Sequence, residues 1–141
     1  MTPARRIVVH HLGHARAALA AADSLGVPVT LMSPYAASGY LGPAFFADIV
    51  EMARAEHPGV AVEAILDCGD AAGDALAALR HGLKAIRVHL RPDVRAKIAD
   101  IAEQLGARVD DEESPECLDL LDLRDPEKAC RAWLRGGAAV G

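Results

Sequence analysis

The stretch ILDCGDAAGDALAALRHGLKAIRV, residues 65–88, decides the fold of this chain. Its first residues end an apolar run over 60–66 that predicts a β-strand. A helix is predicted over 71–80, where alanine and leucine recur at the spacing of one helical face. Gly82 ends that helix, and the run LKAIRVHL over 83–90 predicts the next strand. A strand, a helix and a strand in so short a span predict a βαβ crossover with two parallel strands.

The same order of elements repeats along the chain. Strands are predicted over 7–10, 27–32, 60–66, 83–90 and 107–109. Helices are predicted over 14–25, 43–56, 71–80 and 92–105, with a last helix that Asp125 caps and Pro126 opens. This alternation predicts a three-layer α/β/α sandwich with a parallel five-stranded sheet, flavodoxin-like or Rossmann-like. A sixth, edge strand over 117–123 and a half-length (β/α) barrel are the alternatives.

Length and composition indicate a globular protein. The chain has 141 residues, of which 52% are hydrophobic and 25% are charged. We expect one domain over 1–141, with an acidic loop over 110–116 and a flexible tail over 136–141. The net charge is -5 and no cluster of lysine and arginine stands out, so we expect no nucleic-acid partner.

Targeting and cofactor signals are absent from the sequence. No apolar run is long enough to cross a bilayer or to form the core of a signal peptide, so we expect no membrane partner. The three cysteines are odd in number and have no CxxC spacing, which favours a reducing compartment, the cytoplasm. No Gly-Lys-Ser/Thr sequence is present, which excludes a P-loop, and no other cofactor is indicated.

The histidines of the first predicted loop are the first site candidates. In open parallel sheets, ligands bind outside the carboxyl ends of the strands. His10 and His11 follow the first strand, and either would serve as the acid/base group of a catalytic site. Side-chain alternation predicts that these two face opposite sides of the sheet, unless the strand has already ended before them. His14 is a ligand-binding candidate because the free N–H groups of a first helical turn favour anions.

The segment DCGD over 67–70 follows the third predicted strand. Asp67 is predicted to be the catalytic carboxylate that orients a histidine, because a carboxylate at the end of a buried strand needs a partner. Cys68 is a ligand-binding candidate, since a helix N-terminus can lower a thiol pKa, and its alternative is a small buried hydrophobe. Asp70 is predicted to be a helix N-cap. A metal held by Asp67 with the first-loop histidines matches no standard zinc spacing, so no metal is predicted.

Two further loops complete the predicted site. The segment SPYAASGYLG over 33–42 offers Ser33, Tyr35 and Tyr40 as ligand-binding residues, either in a loop that closes over a ligand or in an oligomer contact. After the fourth predicted strand come His89 and Arg91, with Arg91 as an anion clamp. The alternation of polar and apolar residues in that strand indicates an edge position, or a polar face that meets a partner or a ligand, such as an anion bound by Arg87 or Arg91.

Together these residues predict a small-molecule site at the carboxyl edge of the sheet. The site would act on a small anionic metabolite, and a catalytic role would be a lyase, isomerase or hydrolase step. Whether the protein is an enzyme stays open at this stage. The alternative is a non-catalytic oligomerisation or protein-interaction module, in which the aromatic loop contacts a partner or a second copy of the chain.

Overall fold

The structure is a computed structural model that describes residues 4–138. Within this range the strands are β1 (Arg5–Val8), β2 (Val29–Met32), β3 (Val62–Asp67), β4 (Ala85–Arg87), β5 (Arg108–Val109) and β6 (Cys117–Asp119). The helices are α1 (Leu12–Leu25), α2 (Pro43–Glu56), α3 (Ala72–Arg80), α4 (Pro92–Gln104) and α5 (Pro126–Leu134). No helix in this range is long and apolar enough to cross a membrane.

The strands form a six-stranded sheet in the order β5-β4-β3-β2-β1-β6. Strand β1 pairs in parallel with β2 and with β6, and β4 pairs in parallel with β3 and with β5. The predicted α/β class with a parallel sheet and a three-layer-like fold is confirmed, and the sheet includes the sixth, edge strand. The consecutive order from β1 to β5 is also a feature of (β/α) barrels.

Local sequence explains where most of these elements begin and end. Gly26 ends α1 in the left-handed conformation, with φ of 66°. Asp125 caps α5, because its Oδ1 accepts the N–H of Lys128 at 3.1 Å. The predicted cap Asp70 is wrong: α3 begins at Ala72 and its N-cap residue is Ala71. The loop over 110–116 contains neither helix nor strand, as predicted.

By its internal contacts the chain divides into two compact units. Of the described residues, the first unit takes those from 4–32, 49–63 and 114–138, and the second those from 33–48 and 64–113. The single domain over 1–141 stays a prediction, and residues 139–141 of the predicted tail lie outside the described range. In the first unit α1 packs against α5, and Nε1 of the buried Trp133 donates to the carbonyl of Arg6 at 3.0 Å.

In the second unit, the edge position, one of the two alternatives for the fourth strand, is wrong. Strand β4 lies between β3 and β5. Arg87 is tolerated there because its Nη1 donates to Oδ2 of Asp110 at 2.7 Å, and both side chains are largely buried. The short β5 places Asp110 directly after its last residue, where the carboxylate neutralises Arg87.

Candidate functional site

Asp67 organises the loops of the second unit. It is the last residue of β3 and is only 4% exposed. Its Oδ1 accepts the N–H groups of Ala36 at 3.0 Å and of Gly69 at 2.8 Å. Its Oδ2 lies 3.0 Å from Nε2 of His89. One buried carboxylate therefore holds the segments that follow β2, β3 and β4.

The two residues that donate to Oδ1 of Asp67 have a left-handed backbone conformation. Ala36 has φ of 55° and Gly69 has φ of 57°, both in the left-handed region. A Cβ added to Gly69 would lie 2.8 Å from the Cβ of Ala36, so only glycine fits at this position. An alanine in this conformation costs roughly 1–2 kcal/mol, and the hydrogen bond to Asp67 offsets that cost. Strained residues of this kind cluster at functional sites.

Ser33 accepts a hydrogen bond from the backbone of Asp67. The side chain is 2% exposed, and its Oγ accepts the N–H of Asp67 at 2.8 Å. The same hydroxyl donates to the carbonyl of Pro34 at 3.1 Å. Because its proton is already used by the backbone, Ser33 is placed to hold the end of β3 rather than to donate to a ligand.

His89 is the accessible member of this cluster. An ionised carboxylate can only accept, so Nε2 of His89 donates to Asp67 and Nδ1 is left as an acceptor. The His89 side chain is 37% exposed, and its ring lies 4.8 Å from the ring of Tyr35, centroid to centroid. His89 also lines a cavity of about 410 Å³. The pair therefore combines a buried orienting carboxylate with an accessible imidazole.

The wall of this cavity carries charges of both signs. Besides His89 and Val88, it is lined by Arg87, Arg95, Asp110, Asp111, Glu112 and Glu113. Arg87 is paired with Asp110, whereas Nη2 of Arg95 donates to the backbone carbonyl of Asp110 over 3.4 Å. Arg95 was not among the residues predicted from sequence, because it lies on α4 well after the end of β4.

Other predicted residues of the second unit lie outside the Asp67–His89 pair. Cys68 is 1% exposed, and burial raises its thiol pKa to about 11, so the hypothesis of a lowered pKa is wrong. Its alternative as a small buried hydrophobe fits these observations. Tyr40 is 71% exposed. Arg91 is also exposed, and its Nη2 lies 3.3 Å from Oδ2 of Asp93.

The first unit contains a separate histidine cluster. Nε2 of His10 lies 2.7 Å from Oδ1 of Asp119, at the end of β6. The backbone N–H of His10 donates to Nδ1 of His14 at 3.1 Å, and the N–H of His14 donates to Nδ1 of His11 at 3.3 Å. The rings of His11 and His14 lie 3.8 Å apart, and those of His10 and His14 lie 5.5 Å apart, centroid to centroid.

The exception for a strand that has already ended applies to His10 and His11. Strand β1 ends at Val8, so side-chain alternation does not govern these two residues, and both rings contact His14. The prediction of a free backbone N–H at His14 is wrong. The N–H of His14 is not free, because it donates to His11, the N-cap residue of α1. Burial, with His11 and His10 nearby, lowers the pKa of His14 to about 4.

The structure divides the predicted site residues between the units. Asp67, predicted to orient His10 or His11, is hydrogen-bonded to His89, whereas His10 is hydrogen-bonded to Asp119. Asp119 was missed, and the only signal for it was the alternative sixth strand. Among the described residues, no three histidine, cysteine or acidic side chains are placed to hold a metal ion.

Comparisons with known proteins add no family. No family model matches the chain, and a search of curated proteins found no significant match. What the fold and the clusters define is therefore a class: an α/β domain with buried charged residues, compatible with ligand binding.

Proposed function

We propose that the second unit binds a small polar metabolite in the cavity beside His89 and that His89 moves a proton to or from it. The observation that carries this proposal is the 3.0 Å hydrogen bond between the buried Asp67 and an accessible His89 that lines a cavity. Convergence of an oriented imidazole and a ligand-sized cavity is the default signature of a functional site.

The chemistry follows from the tautomer of His89. With Nε2–H held by Asp67, the bare Nδ1 acts as a general base on a ligand proton. The imidazolium that forms is stabilised by the Asp67 carboxylate and returns the proton as a general acid. Such proton transfer serves the lyase, isomerase or hydrolase steps expected from the sequence. The ring of Tyr35 lies 4.8 Å from the His89 ring, centroid to centroid, and would contact a ligand bound beside it.

The charges on the cavity wall define the ligand class. Arg91 pairs with Asp93, so we propose that Arg95 takes its role and contacts the anionic group of the ligand. The acidic residues over 110–113 outnumber the arginines, which favours a ligand that also carries an ammonium or hydroxyl group. A small anionic metabolite with a second, hydrogen-donating group fits both requirements.

A ligand screen tests this proposal. Small amino, hydroxy and phosphorylated acids are added to the wild type, to His89→Asn and to the control His81→Asn, and melting temperatures are recorded. We expect at least one compound to stabilise the wild type and His81→Asn in a saturable way, and His89→Asn less. If no compound stabilises the wild type, or if His89→Asn responds equally, the proposal fails.

The second candidate function is self-association through the segment 33–48. Tyr40 is 71% exposed and Phe45 is 49% exposed, and aromatic side chains are enriched at protein interfaces. Light scattering of the wild type and Tyr40→Ser distinguishes a monomer from an oligomer. A wild-type monomer at every concentration contradicts this function. The cytoplasm remains the expected compartment, and the cysteines, all free in the structure, are compatible with it.

A further inference from the structure

We propose that the N-terminus of α1, in the first unit, binds a phosphate group through the imidazole N–H groups of His11 and His14. This site is independent of the proposed function, which uses residues of the second unit. The ligand class is inorganic phosphate or the phosphate group of a small phosphomonoester.

The hydrogen bonds of the backbone determine which ring nitrogens carry protons. The N–H of His14 donates to Nδ1 of His11, and the N–H of His10 donates to Nδ1 of His14. A backbone N–H can only donate, so both Nδ1 atoms are acceptors. Each neutral ring therefore carries its proton on Nε2. The cluster presents Nε2–H donors from both His11 and His14.

His14 supplies the observation that points to a ligand. The residue is only 7% exposed, and its lowered pKa of about 4 keeps the ring neutral at pH 7. Within residues 4–138, the only side-chain hydrogen bond of His14 is the one that its Nδ1 accepts. No fully buried side-chain nitrogen in this range lacks a partner, so Nε2 of His14 must reach the surface of the unit. A donor such as Nε2–H of His14, on a largely buried ring but itself accessible, is placed to form a hydrogen bond with an acceptor atom of a ligand.

The surroundings of the two donors suit an oxyanion. Helix α1 has 14 residues with no acidic residue in its first turn, and a helix N-terminus attracts negative charge. The rings of His11 and His14 lie 3.8 Å apart, centroid to centroid, so both imidazoles lie within the span of one phosphate group. Gly13 leaves room for the His11 ring, because a Cβ there would lie 3.0 Å from ring atoms of His11.

Asp119 is the charge that opposes an anion at this place. Its Oδ1 lies 2.7 Å from Nε2 of His10 and accepts the N–H of Leu121 at 2.9 Å. The Oδ1 atom of this carboxylate is therefore occupied by His10 and by the backbone.

The test is a titration of the full-length protein, labelled with nitrogen-15, with inorganic phosphate. Imidazole signals of His11 and His14 are followed together with the heat of binding. We expect saturable shifts of both Nε2–H groups in the wild type. His11→Ser keeps an N-cap acceptor but removes the imidazole N–H, and we expect at least tenfold weaker binding. His81→Asn, which changes an exposed histidine in the second unit, should bind phosphate as the wild type does.

Three results would overturn the proposal. One is the absence of saturable binding, and another is unchanged affinity in His11→Ser, provided that its melting curve shows a folded protein. The third is a set of shifts confined to residues around His89, which would place the phosphate in the cavity beside His89. That outcome would refute this proposal and leave the proposed function standing, whereas loss of ligand binding only in His89→Asn concerns the proposed function alone.

Discussion

Replacement of Asp67 should destabilise the protein strongly, because this buried carboxylate is the acceptor for two backbone N–H groups. In Asp67→Ala the N–H groups of Ala36 and Gly69 lose their acceptor, and the left-handed Ala36 loses the bond that holds it. Each unsatisfied buried donor costs about 1–3 kcal/mol. We therefore expect the free energy of unfolding to fall by about 3–5 kcal/mol, after allowance for water entering the gap.

A milder replacement separates stability from chemistry. Asp67→Asn retains a carbonyl oxygen for Ala36 and Gly69 but converts charge-assisted hydrogen bonds to neutral ones, so we expect a loss of about 1–2 kcal/mol. Its amide nitrogen donates to Nε2 of His89, which moves the ring proton to Nδ1 and removes the general base.

Urea denaturation measures both losses, and nitrogen-15 spectra of the imidazole report the tautomer of His89. Asp70→Asn is the matched control, because Asp70 is an exposed carboxylate on the same segment. A loss below about 1 kcal/mol in Asp67→Ala, comparable to a surface change, would refute the reasoning. An unchanged tautomer in Asp67→Asn would refute the role of Asp67 in orienting His89.

Three further predictions concern groups outside the Asp67–His89 pair. Burial raises the thiol pKa of Cys68 to about 11, so iodoacetamide at pH 8 should modify the partly exposed Cys117 before Cys68 in the folded protein. Peptide mass mapping measures the order of labelling, and early labelling of Cys68 would contradict its burial. Arg87→Met should lower the free energy of unfolding by about 3–5 kcal/mol, because it leaves the buried Asp110 without its closest cation. The double variant Arg87→Met with Asp110→Leu should recover part of that loss in urea denaturation, and no recovery would show that the unpaired Asp110 is not its cause. The pKa of His14 in the folded protein is about 4, below its ordinary value of 6.5, so between these pH values the unfolded chain binds more protons than the folded one. The free energy of unfolding should therefore fall as the pH drops from 6.5 to 4. His14→Gln should flatten this pH dependence, and an identical pH profile would exclude His14 as its source.

The sequence by itself determined the elements and their class. Local signals were sufficient there: Gly26 favours the left-handed end of α1, Pro43 opens α2, and Asp125 caps α5. The alternation of strands and helices predicts parallel strands, because a helix between two strands brings the chain back to the same edge of a sheet. For the same reason, the loops that carry the candidate residues could be named in advance.

Only the tertiary structure decided which residues meet. Asp67 bonds to His89, which lies 22 residues away, and His10 bonds to Asp119, which lies 109 residues away. These pairs follow from strand order, which places β6 beside β1 and β4 beside β3, and strand order is set by packing over the whole chain rather than by local pattern. Strand β1 ends at Val8, two residues before its predicted end at His10, for a similar reason. The N–H of Val9 still donates to the carbonyl of Met32 on the adjacent strand β2. The histidines after Val9 turn into the N-terminus of α1, where backbone hydrogen bonds to their ring nitrogens determine their geometry.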